Sequence, residues 1–240
     1  MVFGSNGVGL TNYTFWMIIA LIVVLVVVIV AGKHLSLVPS NKAVGAVEYL
    51  YDYVRRDVAQ GIIGADYKRH VPFLCSLFFF IFVCNIIGLI PGTKAATGSI
   101  SITWALSLTS FCYFNYWGVK ARGGWGYIKS IAPSGLPGPL VPVIWFFEFI
   151  SLCLRALTLA VRLYANMFAG HMVLGIFALL TSVFITYALQ NGVYVMMLPS
   201  VGWMLLLLFM YALECLVAYL QAYIFTALSA VYISLATSEH

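Results

Sequence analysis

The sequence predicts an all-α polytopic membrane protein with about five transmembrane crossings and one surface amphipathic helix. Three observations carry this. The 240 residues are 63% hydrophobic and 8% charged, with a mean hydropathy of +1.04, whereas globular domains carry about 25% charged residues. Several apolar runs reach the roughly 20 residues that one helical span requires. One polar segment, 33–70, repeats its apolar residues at helical spacing. At this length nearly the whole chain is consumed by spans, so it reads as a single membrane domain, 1–240. Catalysis in a water-exposed cleft and nucleic-acid binding through the net charge of +5 are both disfavoured.

The first element, 1–32, holds an apolar run from Thr14 to Ala31 with no Lys or Arg before it. It lacks the basic start and small-residue exit of a cleaved signal peptide, and is expected to be a retained outer helix. In 33–70, Val44, Val47, Tyr51, Val54 and Val58 recur at spacings of three and four, which is one apolar stripe on a helix. Such a helix can lie on the membrane surface or pack on a partner subunit, and the two are compatible. Two spans follow in 71–119, near 71–90 and 100–119. The breaker cluster Pro133-Ser134-Gly135-Leu136-Pro137-Gly138-Pro139 separates them from two long stretches, 139–189 and 198–236. Fifty apolar residues exceed one upright span at about 1.5 Å per residue, so such a stretch tilts, kinks or forms a hairpin.

The 33–70 and 119–137 loops hold nine Lys and Arg, against Lys94 alone between the second and third spans. The positive-inside rule then sets the N-terminus outside and the C-terminus inside. Cys75, Cys84, Cys112, Cys153 and Cys215 lie in apolar runs without CxxC spacing, so neither a disulfide framework nor a metal site is expected.

Once the loops are removed, Glu148, Arg155, Arg162, His171 and Glu214 remain in apolar surroundings, with the amides Asn166 and Gln221. A charge at mid-membrane costs about 2.5–3.5 kcal/mol even on the lenient insertion scale, so such residues face a cavity or a partner. At about 100° per residue, Glu148, Arg155, Arg162 and Asn166 share one stripe, whereas His171 falls on the opposite face. Glu214 and Gln221 are seven apart and nearly eclipsed. Helical rise puts His171 about 13 Å further out than Arg162 and, with Gln221 placed level with Arg162, Glu214 about 10 Å further out, so the two can face each other in the outer half of the membrane. Glu148 lies on the inner side. A cation with titratable groups above and below it describes a proton path divided by a fixed charge. Two plainer readings compete with it: Arg162 as half of an ion pair with Glu148 or Glu214, and Arg155 as an interfacial residue that snorkels.

The stretch Leu159-Ala160-Val161-Arg162-Leu163-Tyr164-Ala165-Asn166-Met167-Phe168-Ala169-Gly170-His171 closely resembles the signature of subunit a of F-type ATP synthases. Glu214 and Leu220-Gln221-Ala222-Tyr223-Ile224-Phe225-Thr226 resemble that family's last helix, and Asn85-Ile86-Ile87-Gly88-Leu89-Ile90-Pro91-Gly92 its first inner one. Glu148 fits the next motif, and the matches run in order from about residue 70 to the end. Tyr164-Ala165 replaces the commoner Phe-Gly. His171 and Glu214 stand in the order of mitochondrial and some bacterial members, not the reverse order of others.

The resemblance implies that 138–236 is a long tilted hairpin packing on a rotating c-ring, with Arg162 facing the ring carboxylate. Proton translocation falls to Arg162, His171, Glu214, Gln221, Asn166 and Glu148, with Arg155 and Asn85 as weaker candidates. It also implies a peripheral-stalk subunit b, an indirect link to the catalytic ATPase sector, lipid as solvent, and protons as the transported ion. No cofactor is expected. The tail and loop sequences favour a bacterial plasma membrane over the mitochondrial inner membrane. The chain carries no GxxxxGK phosphate loop, so ATP chemistry belongs elsewhere. The alternative function is a self-contained proton-coupled secondary transporter or ion channel, for which inverted repeats would speak; the two halves show none.

Overall fold

The computed structural model describes residues 11–33, 42–64, 66–90, 92–93, 95–124, 126–127, 140–192, 195 and 197–237. Among the described residues the long elements are helices: α1 Asn12–Lys33, α2 Lys42–Tyr53, α3 Tyr67–Leu89, α4 Ile100–Arg122, α5 Val141–Asn191 and α6 Met197–Thr237. A π-helical stretch, Val54–Gln60, and one α-helical turn, Gly61–Ile63, extend α2, and a 3-10 turn, Ala96–Gly98, precedes α4. The breaker cluster at 133–139, Lys94 and both chain ends lie outside the described residues.

Among the described residues four helices, α1, α3, α5 and α6, are long and apolar enough to cross a membrane. The 22 residues of α1 give about 33 Å of rise, close to the roughly 30 Å hydrocarbon core. Among its described side chains Ala20 and Val24 are the buried ones, and Leu21, Ile22, Val26 and Ile29 are about half exposed. At 23 residues α4 matches α3 in length but is more polar, because hydroxyls line its buried face. Thr103, Ser107 and Ser110 are buried there. Ser107 donates to the Ala156 carbonyl of α5, and Ser110 to Ser229 of α6 at 2.8 Å. Small polar residues let helices approach closely where lipid supplies no hydrophobic drive.

Both long stretches are continuous helices, not internal hairpins, and they pack against each other. Their 51 and 41 residues rise about 77 and 62 Å, well beyond the roughly 45 Å of a whole bilayer, so neither can stand upright. Gly192, at φ 67°, ends α5 in the left-handed conformation that glycine tolerates. The core is shared by Leu74, Phe78 and Ile81 of α3, Leu159 and Leu163 of α5, and Phe225 and Ile233 of α6.

The 33–70 segment departs from expectation in two ways. Val54 and Val58 are fully buried, but Tyr51 is 41% exposed. The longer hydrogen-bonded turns of a π-helix shift the register, so Tyr53 replaces Tyr51 on the inner face. Its ring lies 6.4 and 5.7 Å from those of Tyr219 and Tyr223, and burial pushes its phenol well above the usual tyrosine range. The Tyr53, Val54 and Val58 part of the apolar face therefore packs on α3 and α6 of the same chain. Asp52 pairs with Arg56 at 3.2 Å and with Arg55 at 3.9 Å outside it.

Candidate functional site

Leu159, Ala160 and Leu163 are buried along one side of α5, which leaves Arg162 on its exposed side. Among the described residues Arg162 joins no ion pair. The carboxylate expected to compete for it is taken: Glu148 Oε1 lies 3.4 Å from Arg155 Nη2, and the Arg155 guanidinium also sits 5.6 Å from the Tyr232 ring centroid. Arg155 thus pairs with Glu148 on its own helix and packs against α6. Asn166, one turn beyond Arg162, is half-buried.

Glu214 and Gln221 are 3% and 5% exposed on the face of α6 turned inward, and His171 is half-buried on α5. His171 Nε2, Glu214 Oε1 and Gln221 Nε2 are buried polar atoms with no hydrogen-bond partner among the described residues. Each such group costs about 1–3 kcal/mol when left dry, so three of them in one region need an explanation beyond packing. All three residues had been singled out from the sequence.

Gly170 explains how a carboxylate fits between the two long helices. A Cβ at that position would overlap both carboxylate oxygens of Glu214. Glu214 therefore rests against the residue preceding His171, close to the height that helical rise assigned it, and the two side chains are not hydrogen-bonded to each other. Beside His171 lies a cavity of about 300 Å³, bordered by Tyr13 of α1, by Thr93, Ala95 and Gly98 before α4, and by Phe168 and Met172 of α5.

Asn85 lies on α3, the first inner helix, as expected from the sequence. Fully buried, it donates to the Ala218 carbonyl at 3.3 Å and accepts from Thr97 Oγ1 at 2.7 Å. Ala218 is one turn from Glu214, so this clamp fixes the rotation of α6. Gly88 lets the clamp close, since a Cβ there would collide with Ala95. Sequence reasoning missed Gly170, Gly88 and Thr97; the only signal was a small or hydroxyl residue beside each quoted motif.

The arrangement sets His171 beside a cavity and Glu214 against Gly170 between the long helices, and leaves the Arg162 guanidinium without an ion pair among the described residues on an open helix face. The family described as ATP synthase A chain matches residues 14–234. The chain belongs to the ATP synthase A chain family. It is 37% identical to ATP synthase subunit a of Chloroherpeton thalassium, over 98% of this chain and 69% of that one. Subunit a 2 of Prosthecochloris aestuarii is 37% identical over 100% and 72%. Subunit a of Nocardioides sp. is 36% identical over 99% and 86%. The ATP synthase A chain family thereby supplies the class: an all-α, integral membrane, non-catalytic subunit of the ATP synthase complex. The matched span includes Arg162, His171, Glu214 and Gln221.

Proposed function

We propose that this chain is the proton-translocating stator of an F-type ATP synthase, forming two offset half-channels against a rotating c-ring. The N-terminus lies outside and the C-terminus inside, in a bacterial plasma membrane, with subunit b of the peripheral stalk linking the chain to the catalytic sector. Outer water reaches His171 through the cavity beside Tyr13 and Thr93. His171 and Glu214 pass a proton toward one ring carboxyl, with Gln221 and Asn166 lining the contact. A neutral carboxyl can move through lipid, whereas an ionised one cannot do so cheaply.

After rotation the carboxyl meets Arg162, whose positive charge favours the ionised form. The proton leaves inward past Glu148, held by Arg155. A guanidinium suits the barrier because its pKa exceeds about 12 and it relays no proton itself. Each proton moved through 100 mV supplies about 2.3 kcal/mol, so several accumulate mechanically per ATP.

The observation that supports this most is the set of three partnerless buried atoms on His171, Glu214 and Gln221. Affinity purification of the chain tests it. A c-ring and an ATPase sector should co-purify, and the complex should pump protons when given ATP. Proton flux by the isolated chain would favour the secondary transporter instead.

A further inference from the structure

Where the first turn of α3 packs beside the last turns of α4, aromatic and basic side chains gather on one ring. The Arg69 guanidinium carbon lies 5.0 Å and Lys120 Nζ 4.8 Å from the Trp117 ring centroid, so the two charges are within about 10 Å of each other. Lys120 Nζ is also 5.9 Å from the Tyr116 ring. The platform is fixed from behind: His70 meets Trp117 edge-on at 5.0 Å and shares a 3.1 Å hydrogen bond with the hydroxyl of Tyr113, whose ring stacks on Phe73 at 3.7 Å.

Arg69 and Lys120 are exposed, and neither joins an ion pair among the described residues. Lys68 adds a third exposed cation, and Asp66 is the nearby acid. Lys68 and Arg69 stand in the first turn of α3, next to its N-cap Asp66, and Lys120 in the last turn of α4, so three cations gather against one acid. Along α4, leading away from the cluster, Val119, Tyr116, Cys112 and Leu108 are all exposed at helical spacing. A charged head against Trp117 and an apolar tail along that stripe match one amphiphile.

We infer that Arg69, Lys120 and the Trp117 platform bind the phosphate of an anionic phospholipid, whose acyl chain follows the exposed stripe of α4. Basic pockets between transmembrane helices recognise such headgroups, at about 1 kcal/mol for each Lys or Arg. The apolar stripe distinguishes a lipid from free phosphate or an acidic peptide.

The test uses the whole detergent-solubilised complex, stripped of lipid and titrated with phosphatidylglycerol or phosphatidylcholine, with bound lipid read by native mass spectrometry. Phosphatidylglycerol should bind preferentially. R69Q and K120Q should each weaken it about fivefold and the double variant about thirtyfold. K120R, which keeps the charge, should retain binding, and so should R56Q at the Asp52 pair. Equal binding of the two lipids, an unaffected double variant, or loss of binding in K120R overturns the inference. Displacement by inorganic phosphate at the lipid's own concentration, or an acidic segment of another subunit cross-linked to Lys120 in place of lipid, overturns it too.

Discussion

Gly170 has no room for a methyl group, and that makes it a probe of Glu214. In Gly170→Ala the carboxylate must leave its seat between α5 and α6. Proton flux through the assembled complex should fall at least about tenfold, a displacement costing more than about 1.4 kcal/mol. Adding Glu214→Asp, one methylene shorter, should restore part of it. Vesicle proton uptake normalised to assembled complex measures both, and an unaltered rate in Gly170→Ala would show that the seat is irrelevant. The two arginines of α5 teach the complementary lesson. Periodicity set Arg155 and Arg162 on one stripe with Glu148 and could not choose between them. The structure does so: Glu148 and Arg155, two turns apart on the same helix, lie 3.4 Å from each other, and the Tyr232 ring of α6 packs against that guanidinium.

At the scale of elements, hydropathy located the spans within a few residues, because twenty apolar residues in lipid have few alternatives to a helix. The π-helical stretch at Val54–Gln60 was not legible: its register depends on how Tyr53 fits against Tyr219 and Tyr223, far along the chain. The Asn85 clamp was hidden for the same reason, as its acceptor is a backbone carbonyl 133 residues away. Asn85→Ala should leave the Thr97 hydroxyl without its acceptor and loosen α6, costing about 1–3 kcal/mol. Thermal unfolding of the purified complex reads this directly. A variant as stable as the parent would mean that α6 is held by its apolar contacts alone.

At the scale of the molecule, α5 and α6 are too long to stand upright; α5 presents Arg162 on its exposed side, while Tyr13 of α1 and Thr93, Ala95 and Gly98 between α3 and α4 border the cavity beside His171. The charge asymmetry of the loops predicts which end faces inward. In inside-out vesicles a membrane-impermeant thiol reagent should label a cysteine at Gln60 but not one at Thr93, and in right-side-out cells the pattern should reverse. Labelling of both from one side would contradict the odd number of crossings between them and, with it, the separation of the half-channels.

Arg162 joins these scales, since its unpaired guanidinium matters only if a moving partner faces it. A static buried ion pair broken by Arg162→Ala would destabilise the protein by about 3–5 kcal/mol, and the complex would be lost. A barrier between half-channels behaves differently: the Arg162→Ala complex should assemble in normal amount, make no ATP from a proton gradient, and leak protons passively. Arg162→Lys keeps a charge but lacks the planar, permanently protonated fork, and should also fail to drive synthesis. The deciding measurement is ATP synthesis and passive proton leak in the same vesicles, normalised to assembled complex. Synthesis abolished with leak increased in Arg162→Ala is the result predicted; coupled synthesis at the parent rate would contradict the proposed role of Arg162.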